Sequence, residues 1–169
     1  MNYGKTNRTK SFYPIEFRGA KTTNQERKTQ MTSFKPNALT FEQGITRIKE
    51  AGFDFKSKIT TSRDAAANEA TRKLMVSNVP GGFKKFQLPL YMDKPSQLFV
   101  SIGAPDAEVP EHSHDEGDGI RYIVSGSIIY NGQELTAGDW MFIPAGMKYS
   151  LRVGPRGAHM FYCYQCCCA

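Results

Sequence analysis

The sequence has no long apolar stretch. No hydrophobic run approaches the roughly 18 residues that a membrane-spanning helix needs, so no such helix is predicted. The first ten residues are polar and contain no apolar region of the kind found in a secretory signal. We therefore expect a soluble, cytoplasmic protein without a membrane partner.

Cysteine is scarce, and its position is unusual. The 4 cysteines of the 169-residue chain all fall within its last seven residues, at Cys163, Cys166, Cys167 and Cys168. Pairing among them would close no loop of useful length, which argues against a disulfide framework. Clustered thiolates can bind a soft metal or take part in redox chemistry, and they can also stay free. The sequence leaves these alternatives open.

Acidic residues are sparse in the first half of the chain. Residues 1–75 hold 15 of the 22 Lys and Arg but only 7 of the 16 Asp and Glu, so this half carries a charge of +8 and the rest −2, which gives the net charge of +6. Residues 1–39 are polar and follow no hydrophobic period, which predicts a basic extended arm. The arm is either a solvated lead-in or a segment that contacts nucleic acid, an acidic partner or a neighbouring subunit.

Two short helices are predicted within residues 40–78, and we expect this segment to pack on the rest of the chain. The first helix spans about residues 41–51, with a capping box formed by Thr40 and Gln43. The second helix spans about residues 63–75. Both have only a modest apolar face, which is typical of helices that cover a sheet.

Residues 79–165 have the pattern of a β protein. Asn131-Gly132 lies between two apolar runs and predicts a hairpin. Short runs of β-branched and aromatic residues, separated by turn residues, predict an all-β sandwich or barrel. The predicted strands are Gln97–Ile102, Ile120–Ile129, Gln133–Leu135, Asp139–Ile143, Met147–Val153 and His159–Tyr164.

Two histidines are at the centre of the predicted site. His112 and His114 are two residues apart, so in a strand both imidazoles point to the same side. Two neighbouring imidazoles can bind a divalent transition metal. The same pair is also compatible with an ordinary surface strand among acidic neighbours.

Strand alternation predicts further site residues. Tyr149 falls on the apolar face of its predicted strand, where a phenol can donate a hydrogen bond or act as a general acid. Arg121 shares a face with Gly119, and an inward guanidinium needs an acidic neighbour or an anionic substrate. His159 begins the last predicted strand, and we expect it to reach the same cavity and contribute to substrate binding.

The segment from Gly103 to Gly154 resembles the cupin superfamily. The first cupin motif is carried by His112-Ser113-His114, and the second by Gly138–Gly146, whose G-x5-P-x-G spacing matches the family pattern in full. The predicted hairpin at Asn131-Gly132 lies between the two motifs, as it does in cupins. The resemblance implies a mainly β fold, with a cupin-type β-barrel or jelly roll at residues 79–165.

Two of the four metal ligands of the family pattern are replaced in this chain. Gly119 stands at the position of the glutamate, and Tyr149 at that of the third histidine. We expect the two remaining histidines to hold the metal together with Asp118, or with the nearby Glu116. The resemblance implies a divalent transition metal: Fe, Mn, Zn, Ni or Cu.

Three functions follow from the resemblance as alternatives. The first is a metal-dependent cupin enzyme, an oxygenase, lyase or isomerase, acting on a small anionic metabolite that Arg121 binds while Tyr149 moves a proton. The second is a non-catalytic cupin that senses a ligand or a metal. The third is a structural or assembly protein that uses its basic arm. By analogy with cupins, we also expect a homodimer.

Overall fold

The structure is a computed structural model, and it describes residues 39–80 and 83–165. Except for its last residue, the predicted basic arm lies outside the described residues, and so do the cysteines at 166–168. Strands predominate in the described part, and two short helices accompany them, so the predicted mainly β fold is confirmed. Neither described helix is long and apolar enough to cross a membrane.

Helix α1 (Phe41–Glu50) begins and ends as the sequence predicts. The Thr40 hydroxyl accepts the Gln43 N–H at 3.2 Å, and the Gln43 side chain accepts the Thr40 N–H at 2.9 Å, which completes the capping box. The chain leaves the helix at Gly52, whose φ of +71° is a conformation that glycine adopts without strain. Ile48 is buried and packs the helix against the sheet.

Helix α2 (Ala65–Lys73) begins two residues later than predicted. Ser62 is engaged by the sheet: its hydroxyl donates to Asp139 Oδ1 at 2.7 Å and accepts the Trp140 N–H at 3.1 Å. These bonds hold Ser62 against the strand that contains Trp140. The helix therefore starts later, with Asp64 as its N-cap.

The strands form one large sheet and one small one. Seven strands belong to the large sheet, and β2 and β3 pair with each other in the small one. The strands are β1 (Thr60–Thr61), β2 (Met75–Val76), β3 (Lys85–Phe86), β4 (Gln97–Gly103), β5 (Glu108–His112), β6 (Gly119–Tyr130), β7 (Gln133–Thr136), β8 (Trp140–Ile143) and β9 (Tyr149–Tyr164).

Strands β6 and β9 run through the whole large sheet. The first half of β6 pairs with β8 and its second half with β7, while β9 lies along both halves of β6. The other side of β9 pairs with β5 near its start and with β4 near its end. The sheet therefore has two sections, and the two long strands pass from one to the other, as in a jelly roll.

Glycines allow the long strands to bend where the two sections meet. Gly126 has a φ of +72° and Gly157 a φ of +75°, and a Cβ added at Gly126 would overlap the Gly157 carbonyl oxygen. A Cβ added at Gly154 would overlap the Ser127 side chain. The register of β6 against β9 shifts at the same place, between Gly126 and Ile128.

The main core lies between the two sections of the sheet. Inward side chains of β6, β7, β8 and β9 form it, and each is at most 5% exposed. They are Ile123, Ile128, Leu135, Met141, Ile143, Tyr149, Leu151, Val153, Ala158 and Met160.

A second buried cluster lies on the outer face of β8, under the helices. Trp140 and Phe142 belong to it, together with Ile48 of α1 and Ala67 of α2. Strand β8 is therefore buried on both faces, which explains its continuous apolar sequence Trp140–Ile143.

A buried carboxylate links the helical segment to the sheet. Asp139 is 2% exposed and accepts a hydrogen bond from Arg63 Nε at 3.0 Å. It also accepts hydrogen bonds from the Ser62 hydroxyl and from the Thr136 N–H, at 2.7 and 2.8 Å. This network connects the start of α2 with the turn before β8.

The outer face of β4, β6 and β9 is apolar and exposed. Val100 of β4 lies opposite Phe161 of β9, and Phe161 lies opposite Tyr122 of β6, so the three strands present one continuous surface. We call this surface the outer apolar face, and its large exposed side chains are Leu98, Val100, Ile102, Tyr122, Val124 and Phe161.

Candidate functional site

The candidate site lies on the inner side of the sheet, where β5, β6 and β9 meet. Two cross-strand pairs build it: His112 of β5 lies opposite Tyr149 of β9, and Arg121 of β6 lies opposite Tyr162 of β9. Directly opposed side chains on one face of a sheet are neighbours, so the register of three strands brings these groups together. His114 joins them from the loop that follows β5.

The two imidazoles lie side by side. The ring centroids of His112 and His114 are 5.0 Å apart, with one ring edge-on to the other. His112 Nδ1 lies 2.8 Å from the Pro110 carbonyl oxygen, a pairing in which Nδ1–H donates and Nε2 is left free to accept. The Gly146 N–H donates to the His114 carbonyl oxygen at 2.9 Å and holds the loop after β5 in place.

A chain of polar contacts crosses the site. The Tyr149 hydroxyl accepts a hydrogen bond from Arg121 Nη2 at 3.2 Å and lies 3.4 Å from His114 Nε2. The Arg121 guanidinium carbon lies 4.1 Å from the centroid of the Tyr162 ring, in a cation–π contact. The Tyr149 hydroxyl thus lies between the guanidinium of Arg121 and the imidazole of His114.

The end of β9 forms an aromatic wall behind these groups. Tyr162 and Tyr164 stack with ring centroids 5.7 Å apart, and the His114 ring lies 4.6 Å from that of Tyr164. Sequence reasoning missed both tyrosines. The last strand is apolar on both faces, so alternation did not show which of its residues point inward.

Burial and positive charge determine the protonation of the site. Burial lowers the pKa of His114, and the neighbouring His112 and Arg121 lower it further. Burial raises the pKa of Tyr162 far above its usual range, and Tyr149 adds to this rise. At neutral pH the imidazole of His114 and the phenol of Tyr162 are therefore both uncharged.

Gly119 leaves room for the Tyr162 phenol. A Cβ added at Gly119 would lie 2.8 Å from the Tyr162 hydroxyl oxygen and 3.0 Å from a ring carbon. Any larger residue at position 119 would have to displace the phenol. The position that holds a glutamate in the cupin pattern is thus taken up by a tyrosine from the neighbouring strand.

Asp118 has other partners than the histidines. Its carboxylate accepts hydrogen bonds from Lys56 Nζ and from the Ala145 N–H, the latter at 3.0 Å, and Asp118 is 4% exposed. Its backbone N–H donates to the Gln165 side chain at 3.1 Å. Both carboxylate oxygens of Asp118 thus contact neighbouring loops, and its role as a metal ligand stays a prediction.

His159 lies on the opposite face of its strand from the site. It is exposed, whereas its neighbours Ala158 and Met160 are buried in the main core. The prediction that His159 reaches the same cavity is corrected accordingly: its side chain belongs to the outer surface of β9. The sequence prediction placed His159 in the strand but on the wrong side of it.

The described residues supply only part of the metal site that the resemblance implies. Within residues 39–80 and 83–165, no group of three or more His, Cys, Asp or Glu side chains is arranged to hold a metal ion. The paired imidazoles supply two nitrogen donors, but the cation of Arg121 lies within the same cluster and repels a divalent cation. The divalent metal therefore stays a prediction.

No protein-family model matches the chain, and the search of curated proteins found no match. Solved structures do match. A cupin protein from Bacteroides fragilis is 30% identical to the chain over 46% of this chain and 68% of that protein, with a TM-score of 0.36. The chain belongs to the cupin superfamily.

Two further structures extend the comparison. An uncharacterized conserved protein with a double-stranded β-helix domain from Klebsiella pneumoniae is 23% identical, over 45% of this chain and 71% of that one, with a TM-score of 0.39. An RmlC-like cupin from Shewanella frigidimarina is 23% identical, over 41% of this chain and 64% of that one, with a TM-score of 0.37. Each of these three matches covers less than half of this cupin.

Proposed function

We propose that this cupin binds a small anionic metabolite, and that Arg121 is its anion-binding residue. One observation carries the proposal. Arg121 is half-buried on the inner side of the sheet, and no Asp or Glu of the described residues forms an ion pair with it. Since a buried positive charge without a counter-ion is costly, an anionic ligand at this place would stabilise the site.

The groups around Arg121 also favour an anion. They are the phenols of Tyr149 and Tyr162 and the imidazole of His114, all of which can donate or accept a hydrogen bond. The Tyr149 hydroxyl lies between the guanidinium and the imidazole, so an enzyme acting on the ligand would use Tyr149 to pass a proton to or from His114. Binding without turnover would instead make the protein a ligand-sensing cupin.

The Arg121→Ala variant tests this function. We expect it to bind small carboxylates and phosphates roughly ten- to hundredfold more weakly than the wild type, because a hydrogen bond to a charged group contributes about 1.5–3 kcal/mol. Isothermal titration calorimetry with a panel of such anions measures the effect. The matched control is Arg152→Ala, which removes a surface arginine paired with Asp106. Equal affinities of Arg121→Ala and wild type would contradict the proposal.

A metal-dependent reaction at the paired histidines is the second candidate function. It is favoured by the orientation of His112, whose Nδ1 is held by Pro110 while Nε2 is free, as is usual for a metal-binding histidine. Elemental analysis of purified protein for Fe, Mn, Zn, Ni and Cu distinguishes the two candidates. Near-stoichiometric metal that is lost in His112→Ala supports the second, and full anion binding by metal-free protein supports the first.

We also propose that the outer apolar face is the interface of a homodimer. The outward positions of β4, of the first half of β6 and of the end of β9 that pairs with them carry no Lys, Arg, Asp or Glu, so this face offers no charge for a partner of opposite charge. An apolar face without charges can pack against a second copy of itself, as the interface of a symmetric dimer must. Six large exposed side chains form a patch of the order of several hundred Å², near the size of a typical interface on one partner.

The Val100→Lys variant tests the homodimer. Val100 is 74% exposed at the centre of this face, so we expect the substitution to shift the protein from dimer to monomer without changing its fold. Sedimentation velocity measures the shift. Glu134→Lys on the exposed edge of β7 is the control, and it should leave the dimer intact. A wild-type protein that sediments as a monomer would overturn the proposal.

A further inference from the structure

Two buried hydrogen-bonding atoms of the site have no partner among the described residues. They are Arg121 Nε and the Tyr162 hydroxyl oxygen. A buried polar group that loses water without gaining a partner is destabilising, and native proteins rarely leave such groups unsatisfied. Two of them side by side point to a ligand that supplies the missing acceptors.

The two atoms belong to residues that the fold places in direct contact. Arg121 and Tyr162 are cross-strand partners, and the guanidinium lies over the phenol ring. Arg121 Nη2 is already used by the Tyr149 hydroxyl, so Nε–H is a separate donor. Tyr162 is 7% exposed, and its phenol hydroxyl is a hydrogen-bond donor too.

The lack of a side chain at Gly119 leaves space for the Tyr162 phenol. The cupin pattern has a glutamate there, whose side chain would clash with the Tyr162 hydroxyl. In this chain a glycine stands at the glutamate position, and the Tyr162 phenol fills the space. A carboxylate that attracts cations is thus replaced by a hydroxyl that can donate a hydrogen bond to an anion. The same exchange leaves Arg121 without an acidic neighbour.

We propose that Arg121 Nε and the Tyr162 hydroxyl together bind a carboxylate group of the ligand, with one carboxylate oxygen on each donor. The inference rests on the proposed function and adds to it the chemical class of the bound group and a second binding residue. A carboxylate offers two acceptor oxygens, one for each of the two donors, which cross-strand pairing of β6 with β9 brings together.

The test uses acetate as the carboxylate probe, inorganic phosphate as the alternative anion, and chloride at equal ionic strength as the blank. Affinities come from calorimetry, and the Arg121 Nε–H resonance in ¹⁵N NMR spectra reports binding at the proposed donor. We expect acetate to move this resonance in a saturable manner. In Tyr162→Phe we expect the acetate affinity to fall about tenfold or more, because one hydrogen bond to a charged group is lost.

The control variant makes the same chemical change on the outer face of β6, the strand that carries Arg121. Tyr122→Phe removes a hydroxyl from the exposed outer face, one residue from Arg121, and should bind acetate like the wild type. Gly119→Ala should weaken acetate binding as Tyr162→Phe does, since its Cβ displaces the phenol. Circular dichroism and thermal unfolding establish that each variant is folded before its affinity is compared.

The possible results separate this inference from the proposed function. Normal acetate binding by Tyr162→Phe, with loss in Arg121→Ala, would overturn the role of Tyr162 and leave the anion-binding function standing. Saturable binding of phosphate but not of acetate by the wild type would overturn the carboxylate and again leave the function standing. If neither probe moves the Arg121 resonance, the carboxylate site is overturned, and the wider anion panel with Arg121→Ala then decides the function.

Discussion

The Asp139→Ala variant is expected to lose about 3–5 kcal/mol of the free energy of unfolding, because the substitution leaves a buried charge unpaired. The partner is Arg63, whose side chain is only 13% exposed and donates two hydrogen bonds to the Asp139 carboxylate. The same carboxylate accepts hydrogen bonds from Ser62 and Thr136, so several donors lose their acceptor at once. Urea denaturation followed by circular dichroism measures the loss.

Two further variants show whether burial is the cause. Asp106→Ala removes a carboxylate whose partner, Arg152, is half-exposed, and should cost less than about 1 kcal/mol. The double variant Arg63→Met, Asp139→Leu removes both charges and should be less destabilised than Asp139→Ala, since no unpaired charge remains. If Asp139→Ala is no less stable than Asp106→Ala, the buried network does not link helix and sheet as we describe.

The Gly126→Ala variant is expected to lower the free energy of unfolding by more than about 2 kcal/mol, or to prevent folding. Two effects combine at this position. The φ of +72° strains any residue with a Cβ, and the added Cβ also overlaps the Gly157 carbonyl oxygen on the neighbouring strand. Because β6 and β9 pass between the two sections of the sheet here, the overlap cannot be relieved without separating them.

Gly132→Ala is the matched control. Gly132 has nearly the same φ, +75°, but nothing lies within 4 Å of an added Cβ. Its cost is therefore the backbone strain alone, about 1–2 kcal/mol. The difference in unfolding free energy between the two variants isolates the steric contribution at the bend. Equal losses would show that the close approach of Gly126 and Gly157 does not matter for stability.

Features that depend on nearby residues were predictable from the sequence. The capping box of α1 joins residues three apart, and the hairpin turn needs only the positive φ of Asn131 and Gly132, +47° and +75°. Strand alternation was also enough to place Tyr149 on the inner face, where it is 2% exposed. These predictions succeeded because short-range geometry decides them.

Features that depend on distant partners were not predictable in this way. The start of α2 was predicted too early because Ser62 bonds to Asp139, 77 residues away. Asp118 was assigned to the histidines, but its carboxylate is held by Lys56, 62 residues earlier in the chain. No local pattern indicates such pairings, because a side chain can satisfy its charge with any partner that the fold brings near.

Tyr162 shows the same division most clearly. Its type and its place in the last strand were readable, but its pairing with Arg121 depends on the register of β6 against β9. Local sequence was sufficient for most strands of the large sheet and for the hairpin turn. The partners of the charged residues depend on the packing of segments far apart in the chain, since register and burial are properties of the whole sheet.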